Sequence, residues 1–518
     1  MKKNYFFKSV VFLATILTVF ACKKTSTPSP QLTVSASTIA FAPDGGSQDV
    51  TITSNADWTV SNPALSWLQI STTSGKSGTT VIHVAAASAN GTGATQSVIL
   101  TISASNGQAR RITVSQAPTI YPSYNTSPIP ADATGMGSTA TQLAANMTMG
   151  WNIFNTMEAS GGETGWGNPP ITQQLIDLIK SKDFNAIRIP IQYTDHLVNR
   201  STARIDPVWL ARIKAVVQYC FNDNMYVIVN IHYDPGSKLV GAPQDSADAR
   251  HRAYWEQAAT TLRDFDEHLL FASANEPDAN DKASTITLMR YHQTFINAVR
   301  STGGRNAYRT LVIQAPSTSI DLANLYLDPA NIDKSTALPT DPVPHKMMVE
   351  FHYYSPSQFT ILGGYDTVAQ DAGWGKELYF WGKNFHTTNP KFLDRNCSAN
   401  SEEHYMDSIF KTVKTRFADK GIPLVMGEYQ PNYHASKLLH YPTDMQLALN
   451  SAGHYHAYVT ESAKANGVIP FLWAGIFDRP AHNGVPTGPA VIGDQMALDS
   501  VQAGVNKGVV RYGSGGHF

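Results

Sequence analysis

The chain has 518 residues, which exceeds what one hydrophobic core usually supports, so two folded units are expected. Its 39 Lys and Arg residues against 40 Asp and Glu give a net charge of −1 without blocks of like charge, which argues against nucleic acid and anionic membranes as partners. The 10% of aromatic residues, with 29 Pro and 36 Gly, are typical of a loop-rich globular protein whose rings can stack on a neutral polymer.

The first residues predict an export signal rather than part of a fold. Three lysines precede an apolar run at 10–21, which is too short to span a bilayer but fits a signal-peptide core, and Cys22 follows at once. The ending Leu17-Thr-Val-Phe-Ala-Cys22 resembles a bacterial lipobox, so residues 1–22 are predicted to be a lipoprotein signal peptide with lipidation at Cys22. The alternative is ordinary secretion with Cys22 in the discarded peptide.

Export with a lipid anchor predicts a place on the outer membrane or cell surface of a Gram-negative bacterium. Residues 23–31, rich in Thr, Ser and Pro, then form a solvated tether.

Residues 32–118 show repeated runs of period two, which predict β-strands separated by turns rich in Gly, Asn and Ser. The clearest runs are 49–53, 80–84, 97–102 and 111–115. They predict an all-β, immunoglobulin-like sandwich of about 90 residues. Trp58, Trp67 and the closing Val114-Ser-Gln-Ala-Pro118 resemble a BACON domain, a small sandwich often found ahead of glycan-degrading enzymes in Bacteroidetes. Because Phe41 is the other aromatic residue here, we favour buried tryptophans and a spacer role over sugar binding.

Residues 119–141 are rich in Pro, Ser, Thr and Gly and predict an extended linker. From 142 to 518, short apolar runs alternate with helical periodicity, which is the pattern of βα units. The strand candidates are Met147–Ile153, Ala186–Ile191, Tyr226–Ile231, Leu269–Ala274, Thr310–Gln314, Met347–Phe351, Leu424–Gly427 and Val468–Trp473. Eight in succession predict an α/β fold, the (β/α)8 or TIM barrel. The long excursion at 354–401 is expected to shape a cleft at the face where the strands end.

Cysteine and histidine spacing indicates neither a disulfide framework nor a metal site. Cys220 lies in a helical pattern and Cys397 in a polar loop, so both are expected to be free thiols. His454-Tyr-His456 has a ligand-like spacing but lies in a helical run without a third ligand. No Gly-rich phosphate loop follows a strand, so no cofactor is predicted.

Two of the predicted strands stop at a glutamate. Leu269–Ala274 is followed by Asn275-Glu276-Pro277, and Leu424–Gly427 by Glu428. A strand that is buried on both faces does not carry an unpaired carboxylate, so both glutamates belong at strand C-termini. Parallel barrel strands end at the same mouth, where barrel enzymes hold their reacting groups. Two carboxylates that meet there predict hydrolysis of a glycosidic bond.

Other strand ends carry polar or aromatic residues, and together with the glutamates they predict an active site. Each alone could be a satisfied structural group. In chain order these residues are Arg188, His232, Asn275-Glu276-Pro277, His352 with Tyr354, Glu428 and Trp473. As an ordered set they resemble glycoside hydrolase family 5, the retaining (β/α)8 enzymes, and the resemblance covers roughly residues 145–510.

Two further stretches resemble the subfamily that holds many endo-β-1,4-glucanases, including cellulases and xyloglucanases. They are Trp151-Asn-Ile-Phe-Asn155 and Glu163-Thr-Gly-Trp-Gly-Asn-Pro169. That subfamily commonly has Leu-Gly at Ile153-Phe154 and a second histidine at Tyr233. These departures concern the substrate and leave the chemistry unchanged.

The resemblance implies a role for each residue. Glu276 is expected to be the acid/base and Glu428 the nucleophile, with their carboxyl groups ~5–5.5 Å apart. Arg188 and Tyr354 would hydrogen-bond Glu428 and keep it ionised, while less positive surroundings keep Glu276 protonated. The remaining assignments are the sugar 2-hydroxyl for Asn275, orientation of the site for His232 and His352, the sugar at the cleavage point for Trp473, and neighbouring subsites for Trp166, Trp374 and Trp381.

The predicted function is therefore a monomeric, retaining endo-β-1,4-glucanase that acts on cellulose, xyloglucan or mixed-linkage glucan. One alternative is an endo-β-1,4-mannanase on the same scaffold, which would differ in the loop residues that meet the axial 2-hydroxyl. A second, from another class, is a non-catalytic surface lipoprotein that binds glycans.

Overall fold

The computed structural model describes residues 29–508, except 44, 89, 91–93, 119, 234–243, 331, 364–372 and 374. The chain divides into two compact units, Met1–Pro118 and Thr119–Phe518. The predicted signal peptide, Cys22 and Trp374 lie outside the described residues. Within them, no helix combines the length and the apolar character that crossing a membrane requires.

The N-terminal unit consists of two β-sheets, as its period-two runs predicted. One sheet has the strand order Leu32–Val34, Gly46–Ser54, Gly78–Ala86, Leu68–Ile70, and the other has the order Thr38–Phe41, Ala109–Gln116, Gln96–Ala104, Trp58–Ser61, Ser74–Gly75. Inward residues of both sheets, such as Val50 and Leu100, share one core. Trp58 is buried in this core and Trp67 is half-buried against it, in agreement with the expectation of core tryptophans.

The second unit contains a closed barrel of eight parallel strands, which confirms the predicted (β/α)8 class. In order, the first to eighth barrel strands are Gly150–Asn152, Ala186–Ile191, Tyr226–Ile231, Leu269–Ala272, Leu311–Ser319, Met347–Tyr353, Leu424–Tyr429 and Val468–Leu472. The eighth strand pairs with the first, and Gly150 lies opposite Phe471. A side chain at Gly150 would overlap the Phe471 ring, so glycine allows this closure.

Helices connect the barrel strands and cover them. Those of the described part of the second unit are Ala140–Asn146, Gln173–Lys180, Pro207–Asn222, Gln244–Leu262, Lys282–Ser301, Ile320–Tyr326, Ser357–Thr360, Glu403–Arg416, Pro442–Ala465 and Gln495–Lys507. Their starts follow from the sequence: Asp206 caps the helix that begins with Pro207, and Asp281 forms a capping box with Ser284. Short strand pairs lie outside the barrel: Ile129–Ala131 with Gly303–Gly304, Leu197–Asn199 with Arg204–Ile205, Phe477–Asp478 with Val491–Ile492, and Ala481–His482 with Val485–Pro486.

The segment 119–141 is part of the barrel unit, so the prediction of an extended linker is wrong. Tyr121 is buried in the barrel unit's main core, and the Ser138 backbone N–H and hydroxyl both donate to Glu267, at 2.8 and 2.5 Å. Lys346 Nζ donates to the carbonyls of Met136 and Ser138 at 2.7 and 2.5 Å. Composition suggested a linker because few residues here are apolar, but hydrogen bonds from the barrel hold its backbone in place.

The interior of the barrel has two contrasting layers, because every second residue of a strand points inward. Near the strand N-termini these residues are apolar and pack against the helix Ala140–Asn146. This barrel floor comprises Leu143, Ala186, Ile228, Leu270, Val312, Met348, Val425 and Phe471, among others. Two positions farther along four strands, the residues are polar and fully buried. This polar layer comprises Arg188, Asn230, Gln314 and Glu350.

Candidate active site

Glu428 and His352 lie on adjacent barrel strands directly above the polar layer. The sixth and seventh strands pair in register up to Phe351 and Met426, and a shift then places His352 opposite Glu428. The shift skips Gly427 and brings the two side chains together at the mouth of the barrel. Glu428 is buried, with 7% of its side chain exposed.

Glu276 follows the fourth barrel strand and has an unusual backbone conformation. Its φ is +41°, in the left-handed region that residues other than glycine seldom adopt, and Pro277 follows it. Its side chain is 51% exposed. One carboxylate oxygen of Glu276, one of Glu428 and a ring nitrogen of His352 all lie within 4.8 Å of one another. The structure therefore brings the two predicted catalytic glutamates together.

Arg188 on the second strand connects this pair to the polar layer. Its Nη1 donates to Glu428 Oε1 and to Asn152 Oδ1, both at 3.0 Å, and its Nη2 donates to Asn275 Oδ1 at 2.7 Å. Its Nε lies 3.0 Å from Glu350 Oε1. The guanidinium thus holds the nucleophile candidate from one side and a buried carboxylate from the other.

His352 and Tyr354 supply the remaining contacts to the glutamates. His352 Nδ1 lies 2.9 Å from Glu276 Oε1 and 3.6 Å from Glu428 Oε2, and its Nε2 lies 3.4 Å from Glu350 Oε1. Burial acts to lower the pKa of His352, but the three carboxylates outweigh it and raise that pKa to about 9. Tyr354 donates its hydroxyl to Glu428 Oε2 at 3.1 Å. His352 is therefore an imidazolium at neutral pH.

The pKa values of the two glutamates shift in directions opposite to the expected ones. Burial raises the pKa of Glu428, although His352 and Arg188 act to lower it. Burial also acts to raise the pKa of Glu276, but the hydrogen bond and charge of His352, together with Arg188, bring it below its ordinary value. The expectation of less positive surroundings for Glu276 is wrong, because His352 contacts it directly.

His232, Asn275 and Trp473 form one wall of the site. The His232 ring is stacked with Trp473, at 5.8 Å between centroids and 9° between planes, and Phe154 stacks with Trp473 at 5.2 Å. Burial and the charges of Arg188 and His352 hold the pKa of His232 well below its usual value, so this ring is neutral. Asn275 Nδ2 lies 3.4 Å from His232 Nε2, so a neutral ring positions the amide.

A cleft of about 810 Å³ opens above these residues. Its lining includes Tyr233, Thr360, Ile361, Gln430, Asn432, Tyr433 and Ser436 in addition to the two glutamates and Trp473. Thr360 and Ile361 belong to the excursion that the sequence placed here. Trp166 is 45% exposed and its ring lies 5.9 Å from that of Tyr233, which is 54% exposed, so both rings are open to solvent. Trp381 is fully buried and donates to Ser401 O, so its assignment to a subsite is wrong.

Glu350 and Gln314 were missed by the sequence reasoning although both contact the site. Gln314 Nε2 donates to Glu350 Oε2 at 2.6 Å. Glu350 lies in the predicted strand Met347–Phe351, two positions before His352. Because every second residue of a strand points to the same side, both side chains face the inside of the barrel. A charged residue inside an otherwise apolar strand was the available signal.

Among the described residues, the group that could hold a metal ion consists of the two predicted catalytic glutamates and the histidine between them: Glu276, His352 and Glu428. Each of its groups has a hydrogen-bond partner within the site. His454 and His456 contact different partners: His454 lies 2.9 Å from Glu403, and His456 lies 3.3 Å from the Tyr433 hydroxyl. Cys220 and Cys397 are free, as predicted, and both are buried. The arrangement suits proton transfer and nucleophilic attack by carboxylates.

The chain is similar to known proteins over most of its length. The family profile described as cellulase, glycosyl hydrolase family 5, matches residues 146–475. A xyloglucan-specific endo-β-1,4-glucanase of Bacteroides ovatus is 30% identical over 500 residues, which cover 91% of this chain and 93% of the relative. Endoglucanase A of Paenibacillus barcinonensis is 32% identical over 372 residues, which cover 67% of this chain and 86% of that protein.

Solved structures show the same similarity. A Bacteroides ovatus family 5 xyloglucanase in complex with a XXXG heptasaccharide has a TM-score of 0.63 at 29% identity and covers 92% of this chain and 100% of that chain. A family 5 xyloglucan-specific β-1,4-glucanase from a ruminal metagenomic library, in complex with XXLG, has a TM-score of 0.61 at 34% identity and covers 74% and 100%.

Proposed function

The chain belongs to glycosyl hydrolase family 5 and is a glycoside hydrolase of the endoglucanase type, and from this premise we propose that it cleaves the β-1,4-glucan backbone of xyloglucan with retention of anomeric configuration. The observation that carries the proposed mechanism is the approach of Glu276 and Glu428, whose nearest oxygens lie within 4.8 Å. Retaining enzymes hold their carboxyl groups ~5–5.5 Å apart, whereas inverting enzymes leave ~6.5–9.5 Å for a water.

In the proposed first step, the Glu428 carboxylate attacks the anomeric carbon while Glu276 gives its proton to the departing glycosidic oxygen. The bond between the anomeric carbon and that oxygen breaks, and a glycosyl ester forms on Glu428. Glu276, now a carboxylate, then removes a proton from water, which attacks the same carbon and releases Glu428. Two inversions at one carbon give net retention.

Substrate binding itself supplies the protonation state that this first step needs. In the free site His352 lowers the pKa of Glu276, which is about half exposed to water. A sugar in the cleft displaces that water, and desolvation raises the pKa of a carboxyl group. Hydroxyl groups of the sugar donate to Glu428 and favour its ionised form. Filling the cleft therefore raises the pKa of Glu276 relative to that of Glu428, which favours the proton on Glu276.

The proposed substrate rests on the relatives and on the lining of the cleft. Both relatives described as xyloglucan-specific match the chain broadly, one of them over 91% of its length. The cleft combines polar side chains such as Gln430 and Asn432 with the exposed ring of Tyr233. Such a mixture suits a sugar, which offers hydroxyl groups at its edge and apolar C–H faces.

A substrate panel with product analysis tests this function. Reducing ends are measured after incubation with xyloglucan, carboxymethyl-cellulose, mixed-linkage glucan and mannan, and product sizes separate internal from terminal cleavage. We expect the highest kcat/KM on xyloglucan and oligosaccharide products. Preference for mannan, or an absence of hydrolysis, would instead support one of the two alternatives. Proton NMR of the first anomer released should show the β form, and an initial α anomer would exclude double displacement.

For the N-terminal segments we propose that Cys22 carries a lipid anchor and that the sandwich is a BACON-like spacer. The support is the lipobox-like ending at Cys22 and the absence of exposed aromatic rings among the described sandwich residues. Cys22→Ala should move the enzyme from the membrane fraction to the soluble fraction of the producing cells. A chain without residues 32–118 should keep its kcat/KM on soluble xyloglucan, and a large loss would indicate that the sandwich binds sugar.

A further inference from the structure

Glu350 is a third carboxylate beneath the catalytic pair. It is fully buried in the polar layer, and its Oε1 lies 3.0 Å from Arg188 Nε and 3.4 Å from His352 Nε2. Its Oε2 accepts from Gln314 at 2.6 Å. A Cβ at Gly427 would lie 2.1 Å from Glu350 Oε1, so the absence of a side chain there leaves the space that this carboxylate occupies. The barrel thus provides a fitted position for a buried charge.

Both cations that contact Glu350 also contact the catalytic glutamates. Arg188 spans Glu350 and Glu428 at 3.0 Å to each, and His352 spans Glu350 and Glu276. With Arg188 and His352 charged and all three carboxylates ionised, this cluster carries a net charge of −1. One proton on the catalytic pair makes it neutral, which a buried site favours. Acid/base chemistry requires the same single proton.

We propose that Glu350 is a positioning residue that fixes the number of protons held by the catalytic pair, because its negative charge balances one of the two cations, Arg188 and His352, that face Glu276 and Glu428. This inference rests on the proposed function of Glu276 and Glu428. Without the charge of Glu350, the same two cations would face two carboxylates, and neutrality would be reached only with the pair fully ionised. Glu276 would then lose the proton that the leaving group needs.

The other titratable groups near this cluster do not replace the negative charge that Glu350 places against Arg188 and His352. Burial raises the pKa of Tyr354 well above its usual value and that of Tyr233 to about 12, so both phenols stay neutral. His232 is neutral because its pKa is low. Glu158, whose pKa burial raises to about 7, acts on Glu428 through its charge but makes no contact with His352 among the described bonds. It remains unchanged in every variant below.

The test is the pH dependence of kcat/KM in the full chain with Glu350→Gln. Removal of one negative charge lowers the pKa of each group that the charge faced, so the whole bell-shaped profile should move to lower pH. At an effective dielectric of ~20, a charge relayed through one imidazole gives a shift on the order of one pH unit. A purely structural role would lower kcat/KM at every pH and leave the bell in place.

Two further variants separate charge from packing. In Glu350→Gln alone, the new amide faces the Gln314 amide. The double variant Glu350→Gln with Gln314→Glu again pairs one amide donor with one carboxylate acceptor between the two positions. It also returns the negative charge to the cluster, one side chain farther from Arg188 and His352. The carboxylate introduced at position 314 would keep accepting from the Ala274 N–H, which in the wild type lies 3.0 Å from Gln314 Oε1. We expect this double variant to have a bell between those of Glu350→Gln and the wild type. It also serves as the folded test if Glu350→Gln alone is unstable.

Glu402→Gln is the matched control, because Glu402 is also a buried carboxylate beside a histidine, with His386 Nε2 at 2.5 Å. Its profile should coincide with that of the wild type. The inference is overturned if the wild type hydrolyses xyloglucan but neither Glu350 variant shifts its bell relative to Glu402→Gln. If the wild type lacks hydrolysis altogether, the proposed function fails instead, so the two failures are distinguishable.

Discussion

The barrel floor and the polar layer lie two residues apart on the same strands, yet they differ in what they contribute. On the second strand Ala186 belongs to the floor and Arg188 to the polar layer, and on the sixth Met348 is followed by Glu350. The floor removes apolar surface from water, which stabilises the fold. The polar layer holds buried charges, which contribute little to stability even when paired. The comparison indicates that this barrel is stabilised at one end and performs chemistry at the other.

The largest expected effect tests the catalytic end alone. Glu428→Gln removes the proposed nucleophile and keeps nearly the same side-chain volume, so kcat on xyloglucan should fall on the order of 10⁵-fold. The free energy of unfolding should change by no more than about 1 kcal/mol, since Arg188 keeps its contact with Glu350. Steady-state kinetics and urea unfolding on the same sample give both numbers. Hydrolysis close to the wild-type rate would show that Glu428 is not the nucleophile.

The second prediction concerns the barrel floor, where a substitution should lower stability and leave the chemistry nearly unchanged. Leu270→Ala removes a fully buried side chain that packs in the floor cluster, and such changes cost ~2–5 kcal/mol of unfolding free energy. At a temperature where the variant is folded, kcat should stay within a few-fold of the wild type, because the floor lies near the strand N-termini and both glutamates lie at strand C-termini. Urea unfolding and kinetics again check the two sides. A large loss of kcat in fully folded protein would break the division between the two ends.

The sequence predicted these two ends unequally. The eight strands could be located because buried parallel strands are continuous apolar runs, and Glu276 and Glu428 were visible because each interrupts such a run. The partners of those glutamates were less accessible: Glu350 lies within an apolar run, and its contact with Arg188 arises only when the barrel closes. The segment 119–141 was misjudged for a similar reason, since its hydrogen bonds come from residues distant in sequence, such as Glu267.

The third prediction concerns a residue that joins stability to function. His352 has a folded pKa of about 9, above the ~6.5 of an unfolded histidine, so its stabilising effect is full below that lower value and is lost as the pH rises through 9. The free energy of unfolding should therefore decline by up to ~3 kcal/mol between these limits. In His352→Gln this slope should be absent. Urea unfolding of both proteins at several pH values isolates the histidine, and equal slopes would show that it stays neutral in the fold.

The smallest predicted effect lies at Phe154, which belongs to neither layer. Its ring stacks on Trp473 at 5.2 Å and meets Trp151 edge to face at 5.8 Å, so Trp473 is packed by Phe154 as well as by His232. Phe154→Gly should loosen Trp473 by about 1 kcal/mol of ring packing, raise the KM for xyloglucan several-fold and change kcat less. Phe154→Leu keeps apolar volume against Trp473, so its KM should lie between those of the wild type and Phe154→Gly. A lower KM in the glycine variant would mean that the Phe154 ring occupies space that a sugar could use. The range of substrates would then be determined by residues next to the polar layer and the glutamates rather than by those groups themselves.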